Sequence, residues 1–222
     1  DTDADAFILP RMSRGWFITF EGGEGTGKST QIGRLAEYLR ERGHTVVVTR
    51  EPGGTPVAEA VRSVLLDPSL EPDGLSEVFL FEAARHDHVQ RVVRPALQRG
   101  DIVLSDRFAD SSTIYQGMVR GVGVDRVERL NAIATDHLEP DLTVVLDLDP
   151  DHGVARARER NASGEGGGNR LDDEPSDFHH QVRDGFRALA DREPLRVRLV
   201  DADGGPDEVF ARVVAVLPEA LQ

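Results

Sequence analysis

No cysteine occurs in the 222 residues, so this chain has no route to a disulfide scaffold, a thiolate zinc site or thiol catalysis. No apolar run approaches the roughly 20 residues that span a bilayer. The stretch before Trp16 is polar and acidic, so no signal peptide is visible and a reducing cytoplasm fits best. Positive charge is in short supply: 26 Lys and Arg face 40 Asp and Glu, a net charge of −14. A field of that sign repels nucleic acid, whereas a local arginine cluster still suits a small anion. Lysine is almost missing, and the single one is Lys28. GC-rich codon usage turns Lys into Arg wherever either serves. The survivor therefore marks a place where a compact ammonium is needed and a planar guanidinium does not fit.

What is present suits one packed domain. Hydrophobic residues make up 39% and charged residues 30%, and the length matches a single α/β unit. Strand-like apolar runs fall at Trp16–Glu21, Thr45–Thr49, Ile102–Ser105, Leu142–Leu148 and Val197–Val200. Helical patterns fall at Lys28–Arg42, Val57–Leu66, Ser76–Arg99, Phe178–Asp191 and Asp207–Leu217. Strands separated by helices imply parallel pairing through right-handed crossovers. The expectation is a three-layer α/β domain over 14–222, with about five parallel strands flanked by helices. Residues 1–13 read as a disordered or added N-terminus, or the end of a longer upstream segment, since the chain opens on Asp1 and not on Met. The Gly-rich run Asn161–Asn169 reads as either a surface linker or a mobile lid of about 157–174.

Gly22–Ser29 reads GGEGTGKS, which fits the phosphate-loop pattern G-x-x-x-x-G-K-[ST], with a strand before it and a helix after it. Glycines let the backbone N–H groups turn inward, and the helix start adds its positive dipole end. Gly22, Gly23, Glu24, Gly25, Thr26, Gly27, Lys28, Ser29 and Thr30 are thus expected to hold a nucleoside triphosphate. Lys28 would reach the β- and γ-phosphates and Ser29 would ligate Mg²⁺. The base-reading N-K-x-D motif of GTPases is impossible with no second lysine, and a transporter-type LSGGQ is absent. A small-molecule kinase or an unusual ATPase remains. Asp106 and Arg107 follow a buried strand. There a carboxylate holds Mg²⁺ or merely caps a helix, and an arginine neutralises phosphate charge. Phe81 and Arg85 stand at i and i+4, one helix face offering a flat apolar surface and a charge; a core Phe with a solvated Arg is the alternative.

The stretches FEGGEGTGKST (20–30), TREPGGTP (49–56), RSVLLD (62–67), LFEAAR (80–85), LSDRFADSSTIYQG (104–117), PDLTVVLDL (140–148) and NRLDD (169–173) appear in the order found in bacterial thymidylate kinases, which the chain resembles from about residue 16 to its end. That resemblance implies a P-loop kinase fold and ATP-dependent phosphorylation of dTMP to dTDP with Mg²⁺. It implies that Phe81 stacks on thymine and that Arg85 contacts the base or its neighbours. Arg62 would meet a nucleotide phosphate, Glu51 would line the acceptor phosphate region, and Ser112, Tyr115 and Gln116 would complete the acceptor site, Tyr115 beside the sugar. Phe108 and Ile114 replace the family's frequent Tyr and Ala, with altered packing expected. The loop carries Glu24 and no arginine, which resembles members whose catalytic arginine sits in the lid. Arg160 is then the first choice, Arg158 the next, and Arg156 flanks adenine; a salt-bridged helix face is the alternative for each. Ala202 and Asp203 match the loop bordering adenine. A homodimer through the helix at 76–99 is implied, with no nucleic acid or membrane contact. Another nucleoside or nucleoside-monophosphate kinase of the same fold, or a non-catalytic nucleotide-binding regulatory domain, is the competing expectation.

Overall fold

The structure, a computed structural model, describes residues 14–162 and 174–222, with 160–162 in backbone only. The expectations for residues 1–13, for most of the proposed lid and for the Arg160 side chain lie outside the described residues.

Five parallel strands form one sheet: β1 (Phe17–Glu21), β2 (Val46–Arg50), β3 (Ile102–Asp106), β4 (Leu142–Asp147) and β5 (Val197–Asp201), in the order β2-β3-β1-β4-β5. β1 pairs with β3 on one side (Phe20 opposite Asp106) and with β4 on the other (Phe20 opposite Val144). The order reverses direction at β1, and the crevice beyond the carboxyl ends of strands at such a point is where α/β sheets bind ligands. All five β1 residues are buried, as a strand covered on both faces must be. Ile18 and Phe20 pack with Leu104 and Val144 under the helices α1 (Lys28–Glu41) and α9 (Pro206–Ala215). Phe17, on the opposite face, packs against Val89, Val93 and Phe108.

The remaining helices are α2 (Pro56–Leu66), α3 (Gly74–His88), α4 (Arg94–Gln98), α5 (Ala109–Ser112), α6 (Val124–Thr135), α7 (Pro150–Ala162) and α8 (Ser176–Arg192). The helix expected at 76–99 is two: α3 passes into α4 through a widened π-type turn at Val89–Val93. Pro95 explains it, since it has no N–H to donate to the preceding turn. A second widened turn, Thr113–Val119, continues α5 and carries Tyr115 and Gln116. α5, four residues long and half serine, does not stand out in the sequence; α6 is not among the expected helices although Val124, Val127, Leu130 and Ile133 recur at helical spacing.

Candidate active site

The phosphate loop leaves β1 at its carboxyl end and enters α1. Gly22 (φ 128°), Gly25 (φ 67°) and Gly27 (φ 88°) occupy backbone that L side chains rarely adopt. At Gly25 space is also decisive, because a Cβ there would stand 1.9 Å from the Gly153 carbonyl oxygen. The loop backbone thus rests directly on the first turns of α7. Lys28 points back into the loop, its Nζ donating to the carbonyls of Gly23 (2.7 Å) and Gly22 (3.2 Å). Burial, with Arg107 nearby, holds the Lys28 pKa below the ordinary lysine value. Ser29 Oγ donates to Asp106 Oδ2 at 3.1 Å, which joins the loop to the end of β3.

Arg107 follows Asp106 with φ 71°, a left-handed conformation that costs a non-glycine residue of order 1 kcal/mol. Several bonds hold that turn. Arg107 N–H donates to Phe20 O (2.9 Å). Phe108 N–H donates to Glu21 Oε1 (2.8 Å), and the Ser111 hydroxyl to Glu21 Oε2 (2.6 Å). The guanidinium then reaches the loop, donating to Gly22 O (3.2 Å) and Glu24 Oε1 (2.6 Å). Burial works against its charge, but Tyr115, Glu24 and Glu21 outweigh it and raise the pKa.

Glu21 is fully buried, and burial pushes its pKa up to about 7 against the pull of Arg107. The folded chain therefore keeps this proton to near neutrality, while the unfolded chain releases it near 4.5. Its contribution to stability falls as pH rises through that window. Glu21→Gln cannot titrate. It is expected to gain about 2–3 kcal/mol on the wild type between pH 5 and pH 8 in denaturant melts. A difference independent of pH would show that Glu21 ionises alike in both states.

On the acceptor side, α3 turns Phe81 and Arg85 toward the same cleft, of about 500 Å³, that the loop opens into. Arg85 is 2% exposed, and each of its five N–H groups has a partner. Nε donates to Glu51 Oε2 (2.8 Å). Nη1 donates to Glu82 and to Asn131 Oδ1 (2.9 Å), and Nη2 to Ser112 Oγ (2.9 Å) and Phe108 O (3.3 Å). Burial opposes the Glu51 charge, but Arg85 and His88 prevail and hold its carboxyl below the ordinary range. His88 Nδ1–H donates to Glu51 Oε1 (2.8 Å), and Nε2 pairs with the Thr49 hydroxyl (2.6 Å). Arg62 Nη1 donates to Pro52 O (2.9 Å). The Tyr115 hydroxyl is buried without a well-formed hydrogen bond, its ring 5.1 Å from the Arg107 guanidinium carbon.

Glu51, Arg62, Phe81, Arg85, Arg107, Ser112, Tyr115 and Gln116 all line this cleft together with Asp106 and loop residues 24–30. Gly22 and Gly23 line a small hollow behind the loop. Arg156 and Arg158 are exposed on α7 and line neither. Ala202, which is buried, and Asp203 line neither hollow. Sequence reasoning missed Glu21, Glu77, Glu82, His88 and Asn131. For Glu77 a signal existed: it stands four residues before Phe81, on the stripe that continues to Arg85.

The family model described as Thymidylate kinase matches residues 20–213. A thymidylate kinase of Syntrophotalea carbinolica is 46% identical over 210 residues, 93% of this chain and 96% of that protein. One of Deinococcus radiodurans is 48% identical over 208 residues, 94% and 98% of the two chains. A crystal structure of thymidylate kinase from Ehrlichia chaffeensis superposes with a TM-score of 0.73 at 35% identity, covering 92% of this chain and 99% of that one. Matches of this length and identity, over a sheet and loop of this form, place the protein: the chain belongs to the thymidylate kinase family.

Proposed function

We propose a division of labour for the reaction of this nucleoside monophosphate kinase, the phosphorylation of dTMP to dTDP with ATP. Loop N–H groups and Lys28 take the β- and γ-phosphates of ATP. Ser29 and Asp106 hold Mg²⁺. Their oxygens, 3.1 Å apart at the loop mouth, suit a hard cation that keeps water and phosphate as its other ligands. Among the described residues no group of three or more His, Asp or Glu forms a ready metal cage, which agrees with that mode. When bound, the ion would draw charge from the phosphate oxygens.

Arg107 exchanges Glu24 for the phosphates that meet beside it. Phe81 stacks on thymine, Gln116 fixes the base, Arg85, its N–H groups engaged within the protein, supports the groups around it, and Tyr115 crowds the sugar against a 2′-hydroxyl. Glu51 and Arg62 line the acceptor phosphate region, and Ser112 braces Arg85. No general base is needed, because the acceptor phosphate is already ionised at pH 7; positioning and charge neutralisation carry the rate. Arg156 serves the adenine side, and Arg158 or Arg160 the transferring phosphoryl. A cytoplasmic homodimer completes the proposal. Val57, Phe79 and Ile133, on the packed neighbours α2, α3 and α6, are exposed by 50%, 56% and 72% and offer the apolar face. No helix among the described residues is long and apolar enough to cross a membrane.

The observation that supports this most is a single cleft holding both the phosphate loop and the aromatic and arginine face of α3. A coupled ADP-release assay over a panel of nucleoside monophosphates tests it. dTMP is expected to turn over fastest, dUMP more slowly for want of the methyl group, and purine monophosphates negligibly. ADP release indifferent to the acceptor would point to an ATPase or a regulatory domain.

A further inference from the structure

We propose that Glu77 sets the choice of base by holding the Gln116 side-chain amide with its oxygen toward the cleft. This rests on the assignment of the cleft as the thymine site. Gln116 Nε2 donates to Glu77 Oε2 at 3.0 Å. A carboxylate only accepts, so the amide nitrogen must face it; the flipped amide would set two acceptors against each other. Both residues are buried, Glu77 at 1% and Gln116 at 2% exposure, so water does not relieve that conflict. Glu77 is itself anchored. It sits in the first turn of α3, with Arg120 Nε 3.9 Å from the same Oε2. Arg120 also bonds Glu174 at 2.6 Å.

Gln116 lines the cleft while Glu77 stands behind it, so Glu77 is a positioning residue that acts through its neighbour. The one hydrogen bond seen for the Gln116 side chain among the described residues is made by Nε2, which leaves Oε1 open to a donor in the cleft. What the cleft offers at this point is an acceptor. Thymine and uracil carry an N3–H between two carbonyls and can donate to it. Cytosine presents an unprotonated N3 and an amino group, so its ring nitrogen meets a second lone pair. An amide turned the other way would reverse that preference. Sites that leave a buried polar group unpaired with the wrong ligand discriminate strongly.

Glu77→Gln tests this. The shape is kept, but a carboxamide both donates and accepts, so Gln116 is released to sit either way round. The ratio of kcat/KM for dTMP to that for dCMP is expected to fall by about tenfold to hundredfold. KM for dTMP should rise, activity on dCMP should increase, and KM for ATP should stay unchanged. A merely structural loss would lower both nucleotides together and leave the ratio alone, and that result overturns the proposal. If the variant does not fold, the wild type still decides. The Gln116 side-chain amide protons, followed by ¹⁵N NMR, should keep their exchange protection when dTMP is withdrawn, because their partner is Glu77. Protection that vanishes without dTMP overturns it. A wild-type enzyme inactive on dTMP overturns the site assignment and this proposal with it. An active wild type with an unchanged ratio in the variant overturns this proposal alone.

Discussion

Replacing Lys28 by Arg is expected to lower kcat by roughly three powers of ten or more, with the fold retained. Lys28 stands at the first turn of α1 and is 8% exposed. Its ammonium sits between two loop carbonyls at 2.7 and 3.2 Å. A guanidinium has the charge but is planar and wider, so it must leave the loop or distort it. Two of the loop glycines are hemmed in, Gly22 by Leu146 and Gly25 by Gly153, which limits how far the loop can yield. Overpacking of this kind costs about 1–3 kcal/mol, or a few degrees of melting temperature for a domain of this size. Turnover and circular dichroism melts measured together separate the two effects. Turnover within tenfold of the wild type would remove Lys28 from the chemistry.

Arg160→Ala is expected to lower kcat by roughly two to four powers of ten with little change in KM for dTMP, because its contact would form chiefly in the transition state. The motive is a shortage at the loop. Position 24 is a glutamate, and Arg107 is engaged with that glutamate and with Gly22. Arg107 has to leave that glutamate to serve the phosphates and then brings one charge; a further charge for the migrating phosphoryl has to come from elsewhere, and the loop touches the first turn of α7 at Gly153. Arg158→Ala is the control and should cost less. Single-turnover kinetics on both variants would check this. An unimpaired Arg160→Ala enzyme would shift the burden to Arg107 or Arg158.

The sheet was legible because each strand is a short, continuous apolar run set between helical periods. All five strands lie within a residue or so of where periodicity puts them. The phosphate loop was legible because its chemistry is local: eight consecutive residues carry it. Spacing put Phe81 and Arg85 on one helix face but left a core Phe with a solvated Arg open; the resemblance, not the spacing, pointed them to the acceptor site. The network beneath them was not legible. Arg85 meets partners 34 and 46 positions away, and nothing in a one-dimensional pattern pairs Glu51 or Asn131 with it. Glu21 was hidden for the same reason. Its neighbours Phe108 and Ser111 come from beyond β3, and a glutamate ending a strand resembles a solvated edge. The exposed placement of Arg156 and Arg158 was equally unreadable, since alternate arginines on a helix look the same whether they face a ligand or water.

The complete engagement of Arg85 has a consequence for inhibitor resistance. A compound that takes its affinity from the ground Arg85 supports presses on a residue the chain is poorly placed to give up. Lysine offers three donors where five acceptors wait. Any smaller residue strands Glu51 and Glu82 in the interior, at a cost of several kcal/mol for the uncompensated charge. Escape by substitution at this position would therefore be selected against by proteolysis and aggregation before catalysis was ever tested.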